Sequence, residues 1–271
     1  VPNSEHHILN RESSFVRGSV KKVLFDAQLL KLNVGIFSLH TLLMAAFVAL
    51  PLIMHNAGLV NEKHWVVYLV TMLIAFISVL PFIIYAEKKR KMKQVFLLCI
   101  FLLIIAQAIF MISGTSLWLI ILGIQIFFIG FNIMEALLPS LISKEAPAGY
   151  KGTAMGIYST SQFLGVALGG ILGGWLYQHY DAQAVFAGCL LIGLVWFAIS
   201  LTLRQPPYVS SLRIELPAHL SNAQQQQLEQ KFKQQPGVNE VVIMAHEQSA
   251  YIKVDTKQTP RATLESLVLG V

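Results

Sequence analysis

Six long apolar runs constrain the fold of this chain more than any other feature. They cover residues 32–54, 65–86, 94–112, 117–142, 153–177 and 182–203. Each has about the 20 residues with which an α-helix, rising ~1.5 Å per residue, crosses a hydrocarbon core of ~30 Å. Hydrophobic residues make up 55% of the chain and charged residues only 13%, a balance that favours a membrane protein over a soluble domain with buried helices. We therefore predict six transmembrane helices.

Basic residues are distributed unequally between the loops on the two predicted sides of the membrane. The loops at 56–64, 113–116 and 178–181 carry only Lys63, whereas the N-terminal segment, the remaining loops and the residues after the last apolar run carry all other Lys and Arg residues. By the positive-inside rule, the basic loops and both ends of the chain are predicted to be cytoplasmic. The net charge of +6 then reflects topology and contact with anionic lipid, and it does not indicate a nucleic-acid partner.

Residues 1–31 precede the first apolar run and form a polar, basic segment. Between residues 20 and 29, apolar residues recur at helical spacing, so we expect this cytoplasmic segment to include an interfacial helix on the inner leaflet. The first thirty residues lack the short apolar core and cleavage site of a secretory signal peptide. Cys99 and Cys189 lie in different apolar runs, where we expect buried thiols and no disulfide.

The run at 117–142 contains one carboxylate, Glu135, with Asn132 three residues before it. Residues three or four apart share one face of a helix, so Asn132 and Glu135 project from the same face as Phe128 and Phe131. A carboxyl group inside a membrane is costly unless protein or water surrounds it, and we expect this face to meet the protein interior or a cavity. Two roles for Glu135 stay open: it carries protons on a transport pathway, or it is a buried acid that holds neighbouring helices together.

His40 is a second ionisable residue within an apolar run, and it has Ser38 and Thr41 beside it. A neutral imidazole is tolerated in a membrane helix if it forms a hydrogen bond with a neighbouring backbone group or hydroxyl. The alternative is a position on a water-filled pathway, where histidine can exchange protons near neutral pH.

Glycine recurs at helical spacing in the run at 153–177. Gly165, Gly169 and Gly173 follow one another at intervals of four, and Gly170 and Gly174 form a second pair on the adjacent stripe. Small residues at this spacing allow two helix backbones to approach, and in lipid such close packing replaces the hydrophobic effect as the main force between helices. We predict that this helix packs closely against another.

Two stretches resemble the major facilitator superfamily of transporters. The first is the basic loop IIYAEKKRKMKQV, in which Glu87, Lys88 and Lys91 take the places of the family's acidic and basic loop residues, although the family's glycine is missing. The second resembles helices ten and eleven of the family and reads NIMEALLPSLISKEAPAGYKGTAMGIYSTSQFLGVALGGILGGW.

The resemblance implies that residues 32–204 are helices seven to twelve of a twelve-helix transporter in a bacterial inner membrane, and that the N-terminal six helices are missing from this chain. It also implies a central substrate cavity between two six-helix halves, lined by the helices that bear His40 and Glu135. In the family, the glycine-rich helix packs across the boundary between the halves and slides there during transport.

The composition changes after Arg204. A linker at 205–211 contains two prolines, and Leu212 then begins an alternation typical of a half-buried strand. The remaining pattern gives the order βαββα over residues 212–271, so we predict a small α+β ferredoxin-like domain. It lacks the cysteine pair needed for thiolate metal transfer, and Tyr251 alone offers too few aromatic side chains for RNA binding. A regulatory or assembly role is expected.

These features predict a secondary active transporter that works by alternating access, with proton-coupled efflux of small molecules as in drug/proton antiporters. The expected partners are the lipid bilayer, protons and a small-molecule substrate, with no cofactor and no metal. An enzyme is not predicted, because the spans contain no HExxH sequence, nucleophile elbow or pair of catalytic acids. The alternative is a membrane sensor or regulatory protein whose C-terminal domain binds a ligand or partner.

Overall fold

The computed structural model describes residues 20–217, 220–244 and 247–269. Within them, six helices are long and apolar enough to cross a membrane, which confirms the predicted six-helix class. They are α2 (Ala27–Asn56), α3 (His64–Lys88), α4 (Met92–Ile112), α5 (Leu117–Glu145), α6 (Lys151–His179) and α7 (Ala182–Leu201). A short helix, α1 (Val20–Leu24), precedes them.

The N-terminus of α2 differs from the sequence-based expectation. The Asp26 carboxylate accepts hydrogen bonds from the backbone N–H groups of Gln28 at 2.9 Å and Leu29 at 3.0 Å. An aspartate in this position caps a helix start, so the expected interfacial helix over 20–29 is interrupted, and α2 begins five residues before the apolar run. Residues 1–19 of the expected interfacial segment lie outside the described residues.

Two lysines bind the C-terminal end of α7. Lys31 Nζ donates to the carbonyl of Thr202 at 2.9 Å, and Lys93 Nζ donates to the carbonyl of Leu201 at 3.0 Å. The last carbonyls of a helix have no partner within the helix and carry the negative end of its dipole. The ammonium groups satisfy these carbonyls and thereby tie α2 and α4 to α7.

The six-helix unit, which comprises Leu30–Leu141 and Ile157–Pro206, has an aromatic core between α4 and α7. Phe96 and Trp196 pack edge to face with ring centroids 6.2 Å apart, and Phe110 and Phe186 lie 5.0 Å apart. Such pairs add to the stabilisation that burial of the rings provides. The two cysteines are buried free thiols, as expected.

The C-terminal residues fold into an antiparallel three-stranded sheet and two helices: β1 (Ser210–Glu215), α8 (Asn222–Lys233), β2 (Val238–Met244), β3 (Ser249–Val254) and α9 (Arg261–Leu269). The strand order among the described residues is β1-β3-β2. One sheet face packs on the helices through a core that includes Ile214, Phe232 and Ile252. Ser221 begins α8 with a capping box. The predicted α+β ferredoxin-like class is confirmed.

The other face of this sheet is also covered. Tyr251 is 0% exposed and Lys253 is 5% exposed, although neither belongs to the core between the sheet and its helices. Lys253 Nζ donates to the carbonyl of Lys144 at 2.6 Å, and Glu240 Oε2 accepts from the backbone N–H of Ala148 at 2.9 Å. The sheet therefore packs on the connection between α5 and α6, and both belong to one compact unit that includes Ile142–Gly156 and the residues from Pro207 onward.

Candidate functional site

The structure brings the two ionisable residues of the predicted pathway together inside the membrane-spanning unit. His40 projects from α2 and Glu135 from α5, and His40 Nε2 lies 3.5 Å from Glu135 Oε1. The His40 side chain is 8% exposed and the Glu135 side chain is 34% exposed. An acid and a base in contact within two membrane helices form a pair between which a proton can be exchanged.

The backbone of α2 orients the imidazole. His40 Nδ1 lies 3.2 Å from the carbonyl oxygen of Ile36, one turn earlier. A carbonyl oxygen only accepts hydrogen bonds, so Nδ1 carries a proton whether the ring is neutral or charged. Consequently Nε2, which faces Glu135, is the nitrogen that gains or loses a proton.

Helix α6 contributes two further side chains that sequence analysis missed. Gln162 Nε2 lies 2.9 Å from His40 Nε2, and the buried Tyr158 lies within electrostatic reach of Glu135. One sequence signal could have identified them. Tyr158, Gln162 and Gly165 are spaced four and three residues apart, so the two polar side chains share the face of α6 that carries the glycine stripe.

Aromatic rings cover one side of the pair. The Phe131 ring meets the His40 ring edge to face with centroids 5.7 Å apart, and Phe127 stacks on Phe131 at 6.0 Å. Phe127 and Phe131 are themselves buried. Apolar rings restrict water near the pair, which strengthens electrostatic interactions between polar groups there.

Asn132 lies on the same helix face as Glu135, as the spacing predicts for any regular helix. Asn132 Nδ2 and Glu135 Oε1 are buried atoms that have no hydrogen-bond partner within the described residues. A buried polar atom without a partner is costly. The Asn132 nitrogen is therefore available as a donor, and the Glu135 oxygen as an acceptor, to water or a bound solute.

The first glycine stripe lies against the backbone of α2. A Cβ atom added at Gly165, Gly169 or Gly173 would come within 2.3, 2.5 and 2.7 Å, respectively, of α2 backbone atoms, a distance that real Cβ atoms do not reach. Thr41 Oγ1 also donates to the carbonyl of Gly165 at 3.2 Å. The α2–α6 contact therefore requires glycine at these positions, and it adjoins the His40–Gln162 contact.

The second glycine pair has different surroundings. An added Cβ at Gly170 or Gly174 would meet nothing within 4 Å among the described residues. The same side of α6 exposes Phe163 at 70% and Ile171 at 67%. The first stripe therefore packs against α2, whereas the second faces open space among the described residues.

The residues of the basic loop form a tight turn between α3 and α4. Lys88 is the last residue of α3, Arg90 has a left-handed φ of 54°, and the Lys91 N–H donates to the carbonyl of Ala86 at 2.8 Å. Glu87 Oε1 accepts a long hydrogen bond of 3.5 Å from Ser140 on α5. This turn lies at the end of a span, whereas His40 and Glu135 lie within spans. Among the described residues, no group of three or more His, Cys, Asp or Glu side chains could hold a metal ion.

Comparison with known proteins identifies the class. Residues 32–236 match the model of the Major Facilitator Superfamily, and residues 212–270 match the model of the YajR YAM domain. Because the first match covers more than half of the chain, the chain belongs to the Major Facilitator Superfamily. The resemblance found in the sequence is thus confirmed.

Individual relatives agree with this assignment. The chain is 55% identical over 268 residues to the inner membrane transport protein YajR of Escherichia coli (strain K12), a match that covers 99% of this chain and 59% of that protein. It is 37% identical to an uncharacterized transporter of Buchnera aphidicola (subsp. Acyrthosiphon pisum), over 62% of this chain and 44% of that protein. The matched part of the chain therefore spans between 44% and 59% of the length of these curated relatives.

Proposed function

We propose that this chain is the C-terminal part of a secondary active transporter of the bacterial inner membrane, which exchanges protons for small molecules as drug/proton antiporters do. The observation that carries the proposal is the contact of 3.5 Å between His40 and Glu135 on two membrane helices. The names of the relatives, an inner membrane transport protein and uncharacterized transporters, support it. In this proposal both ends of the chain lie in the cytoplasm, as the distribution of Lys and Arg favours.

The chemistry of the pair favours one shared proton. Without a proton, the lone pair of His40 Nε2 faces an anionic oxygen of Glu135, and the two repel each other. One proton between them gives either a neutral pair or an imidazolium–carboxylate pair, and both are attractive. Loading and release of that proton, as the cavity opens to one side and then the other, would couple proton movement to transport. The Asn132 amide nitrogen, which has no hydrogen-bond partner among the residues that the structure describes, adds a donor for a solute or water nearby.

A complementary N-terminal half of six helices is part of the proposal. The chain spans only 59% of the Escherichia coli relative, and the family match covers six helices of this chain. The side of α6 that carries Gly170 and Gly174 is open and is a surface against which that half could pack. The substrate cavity would then lie between the two halves.

The test uses the complete transporter, with its N-terminal half, in proteoliposomes. Ethidium serves as a cationic probe, and a pH-sensitive acridine dye reports proton release when the probe is added. We expect Glu135→Gln to abolish ethidium-dependent proton release while downhill ethidium flux continues, because the amide cannot exchange a proton. Glu62→Gln is the matched control, since Glu62 lies in the exposed turn Asn61–Lys63.

Two results would count against the proposal. If Glu135→Gln retains proton-coupled flux at every pH tested, Glu135 does not carry the proton. If the unmodified transporter releases no protons with ethidium or with any other probe in a panel of cationic, neutral and anionic compounds, it is not an antiporter of this type.

A second candidate function, a membrane sensor or regulator, is favoured by the packing of the C-terminal sheet. Its polar face contacts the connection between α5 and α6 through Lys253 and Glu240, and these helices carry Glu135 and Gln162. A ligand or partner of the domain could therefore act on the pair through these helices. To decide between the candidates, flux is measured after deletion of residues 206–271 and, as a less disruptive change, in the double variant Lys253→Met and Glu240→Gln. Retained flux makes the domain regulatory, and signalling without flux would favour the sensor.

A further inference from the structure

Helix α6 provides a contact to His40 that neither the family match nor the proton pair requires. Gln162 Nε2 lies 2.9 Å from His40 Nε2, closer than the 3.5 Å between His40 Nε2 and Glu135 Oε1. Because Nδ1 is engaged with the carbonyl of Ile36, Nε2 is the only ring nitrogen that Gln162 can sense. The contact therefore depends on whether Nε2 carries a proton.

The direction of this hydrogen bond depends on the charge of the ring. A neutral imidazole with its proton on Nδ1 has a lone pair on Nε2, and an amide NH2 group can donate to it. A protonated ring carries an N–H at the same position, so that two donors would face each other at 2.9 Å. The amide contact is therefore compatible with the neutral ring and must be given up or reversed when the ring is protonated.

Glu135 has the opposite preference. Its Oε1 is an acceptor at 3.5 Å from the same nitrogen and has no hydrogen-bond partner within the described residues. It can take the N–H of the protonated ring when Gln162 turns away. Among the described residues, Tyr158 on α6 is a further ionisable side chain at the pair, and the Phe131 ring of α5 covers the imidazole edge to face.

The surrounding packing confines the change to the amide. One turn beyond Gln162, Gly165 lies against the α2 backbone, and Thr41, next to His40, donates to the Gly165 carbonyl at 3.2 Å. The α2–α6 spacing is thus fixed by backbone contact. When His40 gains or loses a proton, the Gln162 amide rotates, and this rotation alters the hydrogen bond that links α2 and α6.

We propose that Gln162 is a positioning residue that holds His40 in its neutral, proton-accepting form and yields the ring to Glu135 when a proton arrives. The inference rests on the proposed role of the His40–Glu135 pair, and it adds a third residue on a third helix. It makes the strength of the α2–α6 link depend on whether a proton is bound.

The test follows the His40 ring directly by 15N nuclear magnetic resonance of the complete protein in nanodiscs, with the His40 signals assigned by their loss in His40→Asn. In the unmodified protein the neutral ring should carry its proton on Nδ1. Gln162→Met keeps the length of the side chain but removes the donor. At a fixed pH within the transition, it should raise the ratio of doubly to singly protonated rings roughly fivefold, the factor expected for one ordinary hydrogen bond.

Gln162→Glu supplies an acceptor for the protonated ring and should raise the ratio further. The matched control is Gln125→Met, because Gln125 Nε2 also forms a hydrogen bond between membrane helices, to the carbonyl of Thr71 at 3.2 Å, but does not contact His40. This control should leave the ratio unchanged within twofold. Access of a thiol reagent to the buried cysteines shows whether each variant is folded.

The inference is overturned if the neutral ring carries its proton on Nε2, if Gln162→Met leaves the ratio unchanged, or if Gln125→Met changes it equally. The ring measurement does not require transport. A changed ratio without proton-coupled flux would therefore refute the proposed transport function alone, and an unchanged ratio with normal coupling would refute the role of Gln162 alone.

Discussion

Alanine substitutions at two glycines of α6 should change the stability of the six-helix unit in opposite directions, because only one of these glycines contacts α2. A Cβ at Gly165 would lie 2.3 Å from the Phe37 carbonyl oxygen, whereas ordinary contact begins at 3.4 Å. Gly165→Ala must therefore displace the two helices by about 1 Å, because the atom in the way belongs to the backbone. Overpacking costs about 1–3 kcal/mol, and the gain of Ala over Gly in a helix offsets about 0.5–1 kcal/mol of it.

Gly170→Ala is the matched control. It gains the same helix preference, and an added Cβ there meets nothing within 4 Å among the described residues. We expect Gly165→Ala to destabilise the six-helix unit by about 1–2 kcal/mol, and Gly170→Ala to be neutral or to stabilise it by up to ~1 kcal/mol. In a unit of this size, 1 kcal/mol corresponds to about 2–4 °C in Tm, so the first variant should melt roughly 2–8 °C lower.

The chain contains its own reporter for this measurement. Cys99 and Cys189 are free and buried, so a dye that fluoresces on reaction with thiols follows unfolding of the 271-residue chain in detergent as the temperature rises. The reasoning is refuted if Gly165→Ala melts with the unmodified protein, or if Gly170→Ala falls by the same amount. Either result would mean that the backbones of α2 and α6 can separate without cost.

Two further predictions concern the C-terminal domain. Lys253→Met removes the donor to the part-buried Lys144 carbonyl and leaves that acceptor with one partner fewer, a loss of about 1–3 kcal/mol. Hydrogen exchange across Ile142–Gly156 should therefore accelerate about tenfold or more, whereas Lys257→Met, at an exposed position, should leave the exchange rate unchanged. Equal rates in the two variants would contradict the packing. Gln248 has a left-handed φ of 47°, so Gln248→Gly should stabilise the domain by up to ~1 kcal/mol and Gln248→Val should destabilise it. Resistance to proteolysis measures both effects, and a valine variant more resistant than the glycine variant would show that the turn relaxes.

The six membrane helices could be predicted from the sequence because their hydropathy is strong and continuous. Their ends were harder to predict, as α2 shows. Asp26 begins that helix by accepting two backbone hydrogen bonds, a local signal that competes with the apolar pattern of the preceding residues. In the C-terminal domain, turn residues mark the elements clearly, and the predicted order βαββα is the order of β1, α8, β2, β3 and α9.

The candidate site could be predicted only in part. Glu135 and His40 stood out because an ionisable side chain in an apolar run is rare. Gln162 and Tyr158 did not, since a lone amide and a hydroxyl on a glycine-rich helix have many possible neighbours. Which helix lies against which is decided by packing between residues distant in the chain, and a hydropathy pattern does not contain that information. The spacing of Gln162 from Gly165 was the available clue.

The covered face of the C-terminal sheet has a consequence for recognition. Any molecule that binds this face must first displace the α5–α6 connection, so its apparent affinity is reduced by the fraction of time that the face is free. With the face free for about 1% of the time, an intrinsic affinity would be weakened about a hundredfold. Conversely, a molecule that does bind there would release the connection between the helices that carry Glu135 and Gln162 from the sheet, and more so as its concentration rises.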